Sequence, residues 1–164
     1  MLLDHGFEVK RDNELSDQRL STLFKQWFVG VDILLTCSGC TNGYILDIGR
    51  GDYRASGDYI LRIKATSEDQ LDFKVIINEA VYHWTSPVIV INEWTWVEVS
   101  HIRQPDGSYR ILFKIGDSTK TEYQTESENV SEMIQIYFSN YHSQTRADAR
   151  FNNFMISTIP DKRA

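Results

Sequence analysis

The sequence lacks both a long hydrophobic run and an excess of positive charge. No apolar stretch approaches the ~20 residues of a membrane-spanning helix, and residues 1–5 lack the apolar segment of a secretory signal. Its 17 Lys and Arg residues stand against 23 Asp and Glu residues, so the formal net charge of the 164 residues is -6. Nucleic-acid binding needs a basic surface. The composition therefore argues against nucleic acid as a partner and against membrane insertion.

Helical periodicity is also lacking, and strand periodicity takes its place. Apolar and polar residues alternate along most of the chain, as they do in half-buried strands. In residues 59–65 the alternation places Tyr59 and Leu61 inside and Arg62 outside, and Asp106-Gly107 supplies a hairpin turn farther on. The alternating segments are residues 27–35, 44–48, 59–65, 71–77, 81–84, 94–99, 109–115, 119–123, 133–138 and 151–157. We therefore expect an all-β chain of about 10–12 strands, folded as an antiparallel sandwich or barrel.

The domain organisation follows from the length. A chain of 164 residues has the size of one domain and can bury a sizeable core. We expect a single β-sandwich domain over residues 1–158. Residues 159–164 (IPDKRA) carry a proline and charges, which suit a C-terminal tail or a linker.

Cysteine is scarce, and the two that occur form a C-x-x-C pair, Cys37 and Cys40. A zinc site needs two further ligands, whereas the four histidines are scattered along the chain. A redox centre needs a helix N-terminus to lower the thiol pKa, whereas the flanking segments are typical of strands. We therefore expect a turn closed by a local disulfide between Cys37 and Cys40.

Several segments resemble the concanavalin A-like jelly-roll superfamily, to which laminin G-like and pentraxin-like modules belong. Residues 93–101 (EWTWVEVSH) and 105–117 (PDGSYRILFKIGD) are similar to a tryptophan-led strand, a turn and the following strand of that superfamily. Residues 134–139, 151–158 and 27–34 are similar to other strands, so the resemblance covers roughly residues 20–158. It implies an antiparallel two-sheet β-sandwich, a jelly roll with one flat or convex sheet and one concave sheet, and recognition on the concave face or the rim loops. Members are commonly extracellular and bind glycans or proteins, some of them with calcium.

A first candidate binding site is aromatic. Trp84 lies near a strand end, where its ring could stack on a sugar, and its neighbours Tyr82 and His83 complete the candidate site. Core packing is the alternative for tryptophans. It is the interpretation we favour for most of the four, and Trp94 and Trp96 share one face of their strand.

A second candidate is the loop IGRGDYRASGDY, residues 48–59. Arg50, Asp52 and Arg54 form a basic and acidic tip around an Arg-Gly-Asp triplet, which is typical of cell-adhesion ligands. Calcium prefers several oxygen ligands, and four aspartates lie in or beside predicted turns: Asp47, Asp52, Asp58 and Asp117. Asp52 and Asp58 are the calcium candidates among them. Turn-forming aspartates explain the same residues, and Asp58 with its neighbours Gly57 and Tyr59 suits the entry to a strand.

Catalytic signals are weak. Glycosidases of this superfamily place two or three carboxylates at alternating positions of one strand. Glu126, Glu128 and Glu132 come nearest, but their spacing is wrong and the segment resembles a solvated loop. The sequence has neither a nucleophile elbow nor a phosphate-binding fingerprint. Its one N-glycosylation sequon begins at Asn129, and use of this site would place the protein in a secreted or cell-surface setting.

These observations lead to a functional expectation. We expect a non-enzymatic recognition module that binds a glycan or an extracellular protein, without a cofactor other than the calcium considered above. A glycoside hydrolase or lyase on the same fold is one alternative, and a self-associating structural module, such as a homodimer, is another. The expected location is extracellular or at the cell surface, with the chain being a mature or excised domain.

Overall fold

The computed structural model describes residues 2–3, 7–8, 13–14, 20–23, 25–39, 43–50, 59–77, 79–124, 131–138 and 149–159. Every regular element in these ranges is a β-strand. In chain order the strands are β1 (Leu2–Leu3), β2 (Phe7–Glu8), β3 (Asn13–Glu14), β4 (Leu20–Leu23), β5 (Gln26–Leu35), β6 (Gly43–Arg50), β7 (Tyr59–Ala65), β8 (Leu71–Ile77), β9 (Ala80–Thr85), β10 (Thr95–Arg103), β11 (Tyr109–Ile115), β12 (Ser118–Gln124), β13 (Ser131–Phe138) and β14 (Ala149–Ile159). No helix in the described part of the chain is long and apolar enough to cross a membrane.

The strands form two antiparallel sheets. The first sheet has the order β1-β14-β5-β10-β11-β12, with β2 also paired to β14. The second sheet has the order β3-β13-β6-β7-β8-β9, with β4 also paired to β13. Strands β6 to β9 lie side by side in the second sheet and β10 to β12 in the first, whereas from β4 onward the chain changes sheets between β4 and β5, β5 and β6, β9 and β10, β12 and β13, and β13 and β14. The predicted antiparallel β-sandwich is therefore confirmed.

The core lies between the inner faces of the two sheets. Alternate residues of β8 and β11 are buried, and the residues between them are half-buried or exposed. The largest fully buried side chains include Phe73 from the second sheet and Phe113, Phe151 and Phe154 from the first. Burying a phenylalanine contributes about 1.5–3 kcal/mol, so these rings are a main source of the sandwich's stability.

Four strands of the described residues were not predicted. β1, β2 and β3 have two residues each and β4 has four. A two-residue strand is too short for an alternating pattern to show, and these strands form because neighbouring edges offer free main-chain partners. At the other end, β14 runs through Ile159, the first residue of the predicted tail, and residues 160–164 lie outside the described ranges.

A register shift corrects one expectation about β7. Ile48 pairs with Leu61, but the next residue of β6, Gly49, pairs with Tyr59, so Ile60 is an extra residue in its strand. Ile60 and Leu61 are both buried, at 4% and 1% exposure. A bulge of this kind moves every residue beyond it to the opposite face. The prediction that Tyr59 points inward is therefore wrong, and Tyr59 lies on the outer face with Arg62.

Candidate functional site

The outer face of the second sheet carries rows of polar residues. Leu71, Phe73 and Val75 of β8 point into the core, so Asp72 and Lys74 between them point outward. Register then aligns the outward residues of four strands in two rows. One row is Asp47, Arg62, Lys74 and His83, and the other is Tyr44, Lys64, Asp72 and Thr85. Together with Tyr59 these residues are called the polar face below.

A buried ion pair lies at the centre of the polar face. Nε and Nη2 of Arg62 donate hydrogen bonds to Oδ2 of Asp47 at 3.2 and 2.9 Å. The side chain of Asp47 is fully buried and that of Arg62 is 15% exposed. A carboxylate is retained in such a place only when a cation and hydrogen bonds compensate its desolvation. Asp47 therefore fixes Arg62 in one orientation.

Two tyrosine rings lie close to the same guanidinium. Cζ of Arg62 lies 3.9 Å from the ring centroid of Tyr59 and 5.1 Å from that of Tyr44. Tyr44 also has the Nζ of Lys64 at 5.6 Å from its ring. Burial raises the pKa of Tyr59, against the opposing effect of the Arg62 charge. The Tyr59 hydroxyl is therefore protonated at neutral pH and can donate a hydrogen bond.

The polar face contains a shallow depression. Its lining consists of Tyr44, Arg62, Lys64, Asp72 and Lys74, and its volume is about 70 Å³. Sites for drug-sized molecules measure roughly 300–1,000 Å³, so this depression suits one substituent of a larger ligand that lies across the sheet. Three of the five lining residues are cations and one is a carboxylate. The lining is therefore positive, although the whole chain carries a net charge of -6.

His83 marks the edge of the polar face. Its Nε2 lies 3.4 Å from Oδ1 of Asp72, and Oγ1 of Thr85 donates to the same oxygen at 2.5 Å. Its main-chain carbonyl accepts a hydrogen bond from Nζ of Lys120 at 3.1 Å. Lys120 belongs to β12, so this contact joins the edge strands of the two sheets.

The structure separates the predicted aromatic site. Tyr82 and Trp84 pack against the core, on the opposite side of β9 from His83. The Trp84 ring stacks on Phe73 at 5.5 Å between centroids and contacts Phe113 at 6.1 Å. Neighbouring residues of a strand point to opposite faces, so the three side chains do not form one surface. A ligand-binding role for Tyr82, His83 and Trp84 stays a prediction.

Most of the other candidate residues fall outside the described ranges. Arg50 ends β6 and Glu132 lies in β13, but only their main-chain pairing is described. Outside the described residues lie Cys40, Asp52, Arg54, Asp58, Glu126, Glu128 and Asn129. Within the described ranges no group of three or more acidic, histidine or cysteine side chains could hold a metal ion. Calcium binding, the adhesion triplet and the glycosylation site stay predictions.

The predicted turn at the cysteines is anchored by an aspartate. Cys37 is disulfide-bonded, and the other cysteine of the sequence is Cys40. The carboxylate of Asp69 accepts hydrogen bonds from Oγ of Ser38 at 2.5 Å and from the main-chain N–H of Gly39 at 2.8 Å. These bonds lower the pKa of Asp69. The turn is thereby attached to the β7-β8 connection.

Sequence reasoning missed the centre of the polar face. The alternation in residues 59–65 places Arg62 on the outer side of its strand, but nothing in the sequence indicates that Asp47 and the two tyrosines surround Arg62. The available signal was the alternation of Arg62 and Lys64 with buried residues. It carried no information about which strand lies beside which.

Solved structures share this fold at low sequence identity. An endo-β-1,4-glucuronan lyase from the fungus Trichoderma reesei matches with a TM-score of 0.58 and 11% identity, over 94% of this chain and 79% of that chain. A marine alginate lyase from Aplysia kurodai matches with a TM-score of 0.54 and 12% identity, over 94% and 82%. Sheep galectin-11 matches with a TM-score of 0.50 and 8% identity, over 90% and 98%. No model of a known protein family and no curated protein matches the sequence.

These likenesses confirm the fold that the resemblance in the strand patterns implies. The chain is a jelly-roll β-sandwich. The same fold is present in polysaccharide lyases and in a galectin, so it is compatible with carbohydrate binding with or without catalysis.

Proposed function

We propose that the chain is a non-enzymatic recognition module that binds an acidic polysaccharide across the polar face. The observation that carries this proposal is the oriented guanidinium of Arg62, held by Asp47 and by the ring of Tyr59. A guanidinium fixed in advance loses little conformational entropy when it binds a carboxylate. Lys64 and Lys74 extend the positive surface along the sheet.

The shape of the polar face favours a chain over a compact ligand. Its two rows of outward residues cross four strands, which lie about 4.8 Å apart. The face is therefore about 15 Å wide, enough for several sugar rings. Two structural neighbours are named for acidic polysaccharides, glucuronan and alginate. Their likeness supports a uronate-containing ligand.

Lyase activity is the second candidate, favoured by the protonated Tyr59 beside Arg62. Elimination from a 4-linked uronate removes the proton on C5, forms the C4–C5 double bond and expels the O4 leaving group with a proton. Arg62 would neutralise the carboxylate, and Tyr59 would supply the proton to O4. A base for the C5 proton is also required, and the described residues beside Tyr59 do not provide an evident one. Binding without turnover is thus our first proposal.

The experiment is a titration of the protein with glucuronan and alginate oligosaccharides by calorimetry. We expect binding that weakens as salt is raised, because exposed charges are screened over about 10 Å at 0.1 M salt. The same mixtures are followed by ultraviolet absorbance for unsaturated uronate product. Binding without product supports the module, and steady formation of product that stops in Tyr59→Phe supports the lyase. If the protein binds neither glucuronan nor alginate oligosaccharides, the proposal is contradicted.

A further inference from the structure

The outer face of the first sheet carries a tryptophan packed on a glycine. Trp96 of β10 lies over Gly30 of β5, and a methyl group placed on Gly30 would come within 2.4 Å of Cζ2 of the indole. The same methyl group would lie 3.0 Å from Cε1 of Phe28. Only glycine leaves room for this contact. The benzene ring of Trp96 is therefore held against the main chain of the sheet.

A hydrogen bond fixes the other end of the indole. Nε1 of Trp96 donates to Oε1 of Glu98 at 2.8 Å, and Trp96 is half-buried. The ring is thus oriented at the surface, away from the core between the sheets. An aromatic ring that is ordered before binding contributes contact area to a ligand at a small entropic cost.

A second indole lies two residues earlier in the chain. Trp94 is 45% exposed and directly precedes β10. Thr95 pairs with Ile33, a core residue, so the residues on either side of Thr95 share the outer face. Two residues along an extended chain span about 7 Å, which suits adjacent units of one oligosaccharide. Trp94 and Trp96 are called the aromatic strip below.

The charges around the aromatic strip cancel. Asp32 pairs with Trp96, and Lys114 pairs with the neighbouring Glu98. Arg150 pairs with Leu34, at the level of Trp94. Two carboxylates thus face two cations, unlike the three cations and one carboxylate in the depression of the polar face. The strip offers hydrogen-bonding groups for hydroxyls but no net attraction for a polyanion.

We propose that the aromatic strip is a second glycan-binding site, which takes a neutral oligosaccharide. The C–H faces of the sugar rings stack on Trp94 and Trp96, since the face of an aromatic ring is electron-rich. Asp32 and Glu98 accept hydrogen bonds from sugar hydroxyls. The strip and the polar face lie on opposite sheets. The molecule therefore holds a neutral glycan on one side independently of any acidic glycan on the other.

The test uses four neutral probes: cellohexaose, mannohexaose, xylohexaose and laminarihexaose. We expect at least one to bind in calorimetry with a Kd at or below about 1 mM. Trp94→Ala, a change at an exposed side chain, should weaken that binding about tenfold. Gly30→Ala keeps both indoles but displaces the Trp96 ring, so it should weaken the same binding.

A matched control separates the two faces. Lys74→Gln alters the polar face and should leave the affinity for the neutral probe unchanged. Absence of binding by all four hexasaccharides would overturn this proposal, and so would equal affinity of Trp94→Ala and wild type. Failure of wild type to bind uronate oligosaccharides, while it still binds a neutral hexasaccharide, would instead contradict the function proposed for the polar face.

Discussion

Arg62 directs Nε and Nη2 at one oxygen of Asp47, and that carboxylate is fully buried under the outer face of the second sheet. The side chain of Arg62 is 15% exposed, so the buried Asp47 orients it while part of the side chain still reaches the surface. The ring of Tyr59, 3.9 Å away, restricts it further. An ion pair of this kind links the stability of the sheet to the anion binding that we propose for the polar face.

The Asp47→Asn variant tests that connection. Removal of one partner leaves the other charge without its compensation, so the free energy of unfolding should fall by about 3 kcal/mol. Affinity for uronate oligosaccharides should fall as well, because Arg62 loses its orientation. Urea denaturation measures the first effect. The control is Asp72→Asn, a change of the same type at a more exposed carboxylate, which should lower the free energy of unfolding by less than about 1 kcal/mol. Equal stability of Asp47→Asn and wild type would contradict the stabilising role of the Asp47 and Arg62 pair.

Lys120 contacts the strand at one edge of the second sheet. Its ammonium group binds the main-chain carbonyl of His83 on β9, which ends the order of the second sheet. A lysine at a sheet edge opposes strand addition by another chain. We expect Lys120→Met to associate more strongly than wild type in sedimentation velocity, whereas Lys114→Met on the outer face of the first sheet should not. Unchanged sedimentation of Lys120→Met would show that the contact does not guard this edge.

Trp84 and Trp94 differ in what they stabilise. Trp84 stacks on Phe73 and Phe113, whereas Trp94 is 45% exposed. We expect Trp84→Ala to lower the free energy of unfolding by about 3 kcal/mol through lost packing. Trp94→Ala, the matched change at the surface, should lower it by less than about 1 kcal/mol. Similar losses for the two variants, measured in urea, would contradict these assignments.

Protonation of Asp69, which anchors the turn at the cysteines, should make the stability of the fold depend on pH. Hydrogen bonds from Ser38 and from the main chain of Gly39 lower its pKa from the ordinary 3.8. A lowered pKa in the folded state stabilises the fold above the unfolded-state pKa, and the effect disappears as pH falls through the folded-state pKa. Between about pH 4 and pH 2 the thermal midpoint of wild type should therefore fall more steeply than that of Asp69→Asn. Glu68→Gln, on the same connection, is the control and should follow wild type; parallel curves for Asp69→Asn and wild type would exclude the effect.

The strands could be predicted because alternation is a local property. Residues 71–77 and 109–115 show in the sequence the burial that the structure gives them. The bulge at Ile60 could not be predicted. Residues 59–65 also fit an uninterrupted alternation that places Tyr59 inside, and the sequence does not show that Ile60 and Leu61 are both buried. The ion pair in the polar face could not be predicted for a related reason. Asp47 and Arg62 meet through strand pairing, and pairing depends on the packing of the whole sandwich.

The central claim is that the cations of the polar face bind an acidic polysaccharide. Its most direct test is the affinity of the Lys64→Gln/Lys74→Gln double variant for glucuronan oligosaccharides, beside Lys114→Gln as a control on the other sheet. Both lysines line the depression and leave the Arg62 and Asp47 pair in place. We predict that the double variant binds at least about tenfold more weakly than wild type, at about 0.7 kcal/mol for each lost charge, and that the control binds as wild type does. Equal affinity of the double variant and wild type would contradict the claim.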